Sequence, residues 1–457
     1  MAALDDALTE FALHAVPPAE ARAAAAIFLV DTLAVGVAGS AQPSAARARA
    51  AAAGFGAPGP CRLLGRPEAW DPATAAFLNG EAIHNLEWDA LHEPSVVIAL
   101  CAPVAAMVAW LDARPADAPP APGVALLDAL AAGVEVAVAF AGMAGGGPRF
   151  FRPSTSGGMG AAMAVARLAG LEPDMAGHAL GLAYAQLQGT MQAHWEGSGA
   201  LALQVGAAAR AAVTAVALAQ AGCDGPRDVI AGRFGFASLI EPGGDPAVPV
   251  ARMGRPWAVT QLAHKPFPAG RATQATLTAL HDWRAAGLLP GPGEVAALTA
   301  CVPPLIELLV GRPARPDMSA SYARLCLRFV APLYLLDGAI SPARFTPEVF
   351  ADPAIRALGE RVAVVGDGNP DPNVLDPQTI ILTRADGRRL ERRVAAPLGA
   401  PANPLTHAQR EEKARTCFAL AGLDAGPLLA LGADVAALGD ARALITACTA
   451  QGASPCH

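Results

Sequence analysis

Charge is scarce in this chain of 457 residues: Asp, Glu, Lys and Arg make up 16% of it, where an average soluble domain carries roughly 25%. Aromatic residues are scarcer still, at 5%. So little charge implies a large buried interior or surface hidden between subunits, and a homo-oligomer is expected. Lys and Arg are spread thinly, no basic stripe carries interleaved aromatics, and the formal net charge is −7, which argues against nucleic acid as a partner. Cysteine pairs are missing as well. Cys61, Cys101, Cys223, Cys301, Cys326, Cys417, Cys448 and Cys456 lie far apart with no C-x-x-C spacing, which points to free buried thiols in a reducing cytoplasm rather than to a disulfide framework or a zinc site. The opening MAALDDALTEFALHAV has no charged segment followed by an apolar one, so no secretory signal is expected. The longest uncharged apolar run, 96–111, contains Pro103 and falls short of the roughly 18–20 residues that cross a bilayer. It reads as a core helix, and no membrane partner is expected.

Alanine is what the chain has in abundance, within a hydrophobic share of 53%. It is the strongest helix former, so the composition favours closely packed helices. Over 19–38 the apolar residues are dense enough that the helix must be covered on most sides, with Pro17-Pro18 before it and Gly36 and Gly39 closing it. Comparable runs at 72–86, 96–112, 123–143, 158–170, 174–191 and 199–222 show no narrow heptad seam, so a globular bundle is expected. The texture changes after His264. Runs 295–302, 361–365, 379–383 and 390–394 read as strands, with Ala385-Asp386-Gly387 as a hairpin turn, and 319–336 and 346–358 read as helices. Residues 406–421 return to helix, with Thr406 as cap and Glu411 and Glu412 in the early turns. The expectation is a mainly α protein: a large all-α helical domain from 1–264 with 405–457, and a smaller α+β domain over 265–404.

Four polar clusters interrupt this apolar chain. The densest contains His84, Glu87, Asp89, His92 and Glu93. If 77–87 is helical, His84 and Glu87 share one face, and Pro94 ends the helix near Glu93. Two imidazoles and three carboxylates between buried helices suggest a site, the alternative being a solvated connection. The same residues offer metal ligands, but without H-x-H or H-E-x-x-H spacing no metal is expected. The second cluster, HKPFPAGR at 264–271, holds Lys265 and Arg271 on a proline-stiffened backbone beside His264. A desolvated lysine suits acid–base work and an arginine suits a carboxylate, unless this is a rigid linker with surface cations. The third, GPRFFRPSTSGG at 147–158, brings Arg149 and Arg152 to a helix start where an anionic group would be welcome, or is a plain capping loop. The fourth, QGTMQAHWEGS at 188–198, contains Gln188 and His194, and a lone histidine there is more often structural than catalytic.

In this order the clusters resemble the MmgE/PrpD family. The matching stretches are LVDTLAVGVAG at 29–39, FLNGEAIHNLEWD at 77–89, the segment 206–236, HKPFPAGRAT at 264–273, DPAIRALGERVAVV at 352–365 and GAPANPLTHAQREEKARTCF at 399–418. The resemblance implies a homodimer whose active site lies between a helical domain and a smaller lid, with no organic cofactor. It also implies proton transfer next to a carboxylate of a small polycarboxylate, as in 2-methylcitrate dehydratase, cis-aconitate decarboxylase or iminodisuccinate epimerase. The family's acid falls on Glu87, with Asp89 retained after Trp88, and its lysine falls on Lys265. Other family positions differ: Glu93-Pro94-Ser95 directly follows His92, Arg152 stands for a histidine, Leu201 for a lysine and Leu91 for a threonine. These changes point away from 2-methylcitrate and cis-aconitate themselves. The expected enzyme is therefore a lyase or isomerase of the family with Lys265 and His92 as acid and base and Glu87 or Asp89 as orienters or alternates. Arg152, Arg149 and Arg271 would bind carboxylate, with Glu93, His84, Gln188, His194 and His264 around them. A non-catalytic member that binds a carboxylate or a partner protein is the alternative.

Overall fold

Small side chains determine how closely the helices approach. The computed structural model describes residues 2–450, with about 54% of the chain in helix and about 9% in strand. Helices Pro72–His84 and Ala200–Gln220 cross at Gly80 and Gly206. A Cβ on Gly206 would lie 2.3 Å from the carbonyl oxygen of Phe77, so only glycine permits the crossing. Together with Ala19–Ser40, Cys101–Asp112, Gly123–Ala141 and Arg152–Leu168, these helices enclose a largely aliphatic core. Helix His407–Leu420 returns late in the chain to pack on Ala19–Ser40. Its cap is Thr406, which forms a reciprocal capping box with Gln409.

Three helices, Ala19–Ser40, Gly123–Ala141 and Ala200–Gln220, are long and apolar enough by length and composition to cross a membrane, a property that the uncharged run 96–111 did not reveal. Of their apolar windows 72%, 78% and 67% are buried within the fold, which accounts for the apolarity by packing.

A second hydrophobic core forms within residues 267–394 around Phe267, Trp283, Phe329 and Tyr334. Its sheet has the order Val362–Gly366, Val295–Val302, Gln378–Arg384, Arg389–Val394, the first pair parallel and the others antiparallel. Gln378, Ile380 and Leu382 alternate onto its buried face.

Several departures from the sequence reading bear on the site. The helical part is not free of strand: Pro58–Arg62 pairs with Ala69–Trp70, and Leu91–His92 pairs with Leu262–Ala263. Two-residue strands carry no alternation to read, and Pro58–Arg62, PGPCR, has the Gly and Pro of a turn. The helix expected over 77–87 stops at His84, well before Pro94 requires it. The run 96–112 becomes helical only at Cys101, because His92 and Val97 exchange backbone hydrogen bonds of 2.8 and 3.2 Å around a tight turn. The segment 319–336 is broken into Ala320–Arg324 and Leu327–Asp337, where the Arg324 carbonyl accepts the Gly270 N–H at 3.0 Å. The segment 346–358 breaks at Asp352, which precedes a proline and caps Pro353–Gly359 with its side chain. Seven cysteines are free thiols, five of them buried, with Cys223 exposed and Cys301 half-buried; Cys456 lies outside the described residues.

The glycine crossing has a direct test. Gly206→Ala should lower the unfolding free energy by about 1–3 kcal/mol, the usual cost of overpacking against backbone that cannot move. Urea unfolding of the two proteins measures it, and equal midpoints would show that the helices separate freely.

Candidate active site

Residues 85–92 carry the chain from the end of helix Pro72–His84 into the ribbon Leu91–His92. Within this turn Glu87 has φ of 53°, a left-handed conformation that a side-chain-bearing residue keeps only when its surroundings hold it. Those surroundings are explicit. The Trp88 indole N–H donates to the Pro266 carbonyl at 3.1 Å, and the Trp88 carbonyl accepts from Lys413 Nζ at 2.9 Å. Lys413 is itself buried and lies 2.8 Å from Asp31.

So braced, the turn presents its carboxylates to Lys265, whose side chain is fully buried. Lys265 Nζ donates to Glu87 Oε2 at 3.0 Å and to Asp89 Oδ1 at 3.1 Å. On the far side, His84 Nδ1 lies 2.8 Å from Asp89 Oδ2, and His84 Nε2 makes a longer 3.4 Å ion-pair contact with Glu87 Oε1. The four side chains form a closed ring of alternating charge. Burial alone would raise the Asp89 and Glu87 carboxyls, but Lys265 and His84 hold both below the ordinary carboxylate range. Burial likewise disfavours the charged forms of Lys265 and His84, yet the two carboxylates keep both above their ordinary values. The Cys101 thiol donates to Asp89 Oδ2 at 2.6 Å and is pushed well up by burial and by that carboxylate.

Against this ring lies a cavity of about 90 Å³ between the two cores. Its walls are mostly apolar, including Leu91, Val97, Ile98, Met191 and Leu325; its polar residues are Glu87, Lys265, Arg152, Arg271 and His194. This mixture of apolar walls and a few convergent polar groups is that of a small-molecule site.

The arginines are heavily engaged. Arg152 donates to Glu241 at 2.8 and 3.3 Å, to the Ser95 and Gly146 carbonyls and to Asn373. The helix begins at Arg152 itself, so Ser154 lies inside its first turn and donates to the Gln188 and Gln204 carbonyls at 2.9 Å; there is no open hydroxyl loop ahead of the helix. Arg271 is clamped by Glu93 and Asp376.

His84, Glu87, Asp89 and Lys265 thus come together, and Glu93 and Arg271 pair beside them at the cavity. His92 does not line it: its Nδ1 accepts the Ser95 N–H at 3.3 Å, and burial lowers its pKa to about 4. His264 stacks on Phe28 with ring centroids 4.3 Å apart, on the helical body. Arg149 and Gln188 are exposed and outside the cavity lining. Backbone pairing of Phe151 with Gly189 and of Arg149 with Met191 brings the third and fourth clusters side by side, so that Arg152 and His194 share the cavity. Glu241, Asn373 and Asp376 escaped the sequence reading. They lie in Gly- and Pro-rich loops without periodicity, and only their arginine partners hint that buried acids are needed.

His84, Asp89 and Cys101 place one possible metal-donor atom each within 4.8 Å of one another. They already satisfy one another, and the ammonium 3.1 Å from Asp89 opposes a second cation there.

Comparison with known proteins agrees along most of the chain. The model of the MmgE/PrpD N-terminal domain matches residues 4–248, and that of the MmgE/PrpD C-terminal domain matches 267–423. Human cis-aconitate decarboxylase is 29% identical over 370 residues, covering 77% of this chain and 74% of its own. The cis-aconitate decarboxylase-like protein oryM of Aspergillus oryzae is 24% identical over 421 residues, covering 87% and 86%.

The buried imidazoles give a pH prediction. With its pKa lowered to about 4, His92 takes up a proton only after the unfolded chain has done so near 6.5, so its contribution to stability falls as pH drops through that window. In a histidine NMR titration, the resonance lost in His92→Gln should have its midpoint near pH 4. A midpoint near 6.5 would mean that the ring is open to water.

Proposed function

The chain belongs to the MmgE/PrpD family and is an enzyme of the lyase type, and from that premise we propose that it transfers a proton at the carbon next to a carboxylate of a small polycarboxylate. The observation that carries this reading is Lys265, a fully buried ammonium at the cavity wall, 3.0 Å from a carboxylate that lines the same cavity. Polycarboxylates are also the class to which the substrate named for the relatives belongs.

The roles follow from charge. Glu87, ionised and at the cavity, takes the proton from carbon, and the electron pair moves into the neighbouring carboxylate. Lys265, held protonated, gives a proton to the leaving hydroxide in an elimination, or to the carbon in a decarboxylation after the C–C electron pair is released. In an elimination Glu87 then returns its proton to Lys265 across their hydrogen bond, whereas a decarboxylation breaks no C–H bond, so Glu87 stays ionised and Lys265 is reprotonated from solvent. An epimerisation would need a donor on the face opposite Glu87, which Lys265, 3.0 Å from it on the same wall, does not supply. Asp89 and His84 do not line the cavity, and they hold Lys265 and Glu87 in place. The part carrying Lys265 and Arg271 acts as the lid, since the cavity lies between it and the helical body.

Proton NMR of hydroxy-, amino- and unsaturated polycarboxylates in heavy water tests this. One compound should lose its α-proton signal or gain vinyl signals, and Lys265→Met should slow that change about 10²–10⁴-fold, the usual worth of a positioned acid or base. Full turnover by a folded Lys265→Met protein would sink the assignment. Binding without exchange across the whole panel would favour a carboxylate-binding role.

A further inference from the structure

The hydrogen-bond donors at the cavity are nearly all spoken for. Arg152 is spent on Glu241, Asn373 and two carbonyls, and Arg271 on Glu93 and Asp376, with its Nη1 buried and without a partner. Lys265 gives two of its three protons to Glu87 and Asp89. Among the described residues that line the cavity, what remains is the buried Nη1 of Arg271, the third proton of Lys265 and the imidazole of His194, the last the only one of the three not closed off by protein atoms.

His194 lies in the short helix Gln192–Glu196 and lines the cavity. Arg312 Nη2 lies 3.3 Å from His194 Nδ1 and donates to the His194 carbonyl at 2.9 Å. A guanidinium has no lone pair to offer, so where one of the two Nη2 protons is shared with Nδ1 that nitrogen accepts, and the proton of a neutral ring resides on Nε2. Nε2 has no hydrogen-bond partner among the described residues and is not sealed by protein atoms, which leaves it to the cavity.

Arg312 is held for this purpose. Its Nη2 also donates to the Leu309 carbonyl at 3.2 Å, and its guanidinium lies 4.9 Å over the Tyr322 ring, which Arg315 also faces at 4.6 Å. Gly197 ends the His194 helix at φ of 66° directly against Tyr322, where a Cβ would come within 2.6 Å of the Tyr322 Cα. A larger residue would push Tyr322, and Arg312 with it, away from the imidazole.

We propose that His194 is the Nε2–H donor that meets the substrate oxygen on which negative charge develops, and that Arg312 is the positioning residue that fixes the ring in this tautomer. The assignment rests on the proton-transfer reading above and adds to it the group that receives the charge. Burial, Arg312 and the nearby His84 outweigh Glu87 and bring the His194 pKa down to about 4, so at neutral pH the ring donates a hydrogen bond without giving up its proton. A neutral donor has a further advantage here, since an imidazolium would be drawn into pairing with Glu87 and would quench the base. Neutral imidazole is known to serve as an electrophile of this kind.

Two measurements on the full chain decide the matter. Nitrogen-15 spectra of the histidine rings should show His194 with Nδ1 unprotonated and Nε2 protonated at pH 7, and Arg312→Met should restore a mixture of tautomers. On a substrate found by the exchange assay, His194→Leu should lower kcat about 10²–10³-fold, the worth of one donor to a developing oxyanion, with KM little changed. His194→Gln, which keeps an N–H, should recover part of the loss. An Nδ1–H tautomer in the unaltered protein, or kcat within about twofold of normal in His194→Leu, would overturn the assignment while leaving proton transfer intact. If the unaltered protein exchanges no α-proton from any compound, the earlier reading fails, and the tautomer spectra still decide whether Arg312 fixes the ring.

Discussion

A buried ammonium has to be paired, and the junction of the two cores is built around that need. Taking Lys265 out of water costs several kcal/mol, recovered only when opposite charges meet it in good geometry. Its partners come from a turn far away in the sequence. Glu87 and Asp89 follow helix Pro72–His84, while Lys265 stands at the entrance to the segment that builds the second core. Strand Leu262–Ala263, which belongs to the first core and pairs with Leu91–His92, delivers Lys265 to the two carboxylates just before the chain enters the second core. The same need explains why the helix stops at His84: one more turn of helix would carry Glu87 and Asp89 to different faces, and only the left-handed conformation at Glu87 brings both to one ammonium. The pair Lys413–Asp31 steadies the turn from behind by holding the Trp88 carbonyl.

Charge in this protein is sparse but concentrated. The ring at Lys265, the pair Arg152–Glu241 and the clamp of Arg271 by Glu93 and Asp376 all lie near one cavity, amid apolar residues. In such surroundings each ion pair is strong and reorganises little, so the polar groups are preorganised before a ligand arrives. The arrangement also separates protonation states: carboxylates held low and an ammonium held high on one wall, a neutral imidazole on another. Groups whose environments push them apart in this way divide the labour of acid, base and charge acceptor.

The sequence carried the elements whose period is long enough to read. The strands at 295–302, 379–383 and 390–394 and most of the long alanine-rich helices lie within a few residues of where apolar spacing puts them, but the run 174–191 ends its helix at Tyr184 and the helix expected from 158 starts at Arg152. What it did not carry are features fixed by contacts from far along the chain. The break before Leu327 exists because Gly270 claims the Arg324 carbonyl, and the ribbon Leu91–His92 exists because Leu262–Ala263 lies beside it. The site divides in the same way. Glu87, Asp89 and Lys265 stand out as charges in apolar surroundings and are found together. Arg312 stands in GRPARP at 311–316, which has the composition of an exposed loop, and its meaning depends on an imidazole 118 residues earlier.

Arg152 shows how a substitution at a family position can be absorbed. It stands where the resemblance leads one to expect a histidine, and a bare exchange of that kind would bury an unpaired guanidinium at great cost. The chain supplies what the larger cation needs: the Glu241 carboxylate for its charge, and Ser95, Gly146 and Asn373 for its remaining donors. Asn373 belongs to the segment before strand Gln378–Arg384, so the guanidinium ties the two parts of the protein together beside the cavity. A residue so fully bonded acts as a brace, and it would have to give up one of these bonds to grip a carboxylate. The cavity is thereby left with fewer free cations than the count of arginines around it suggests, and most of its wall is aliphatic.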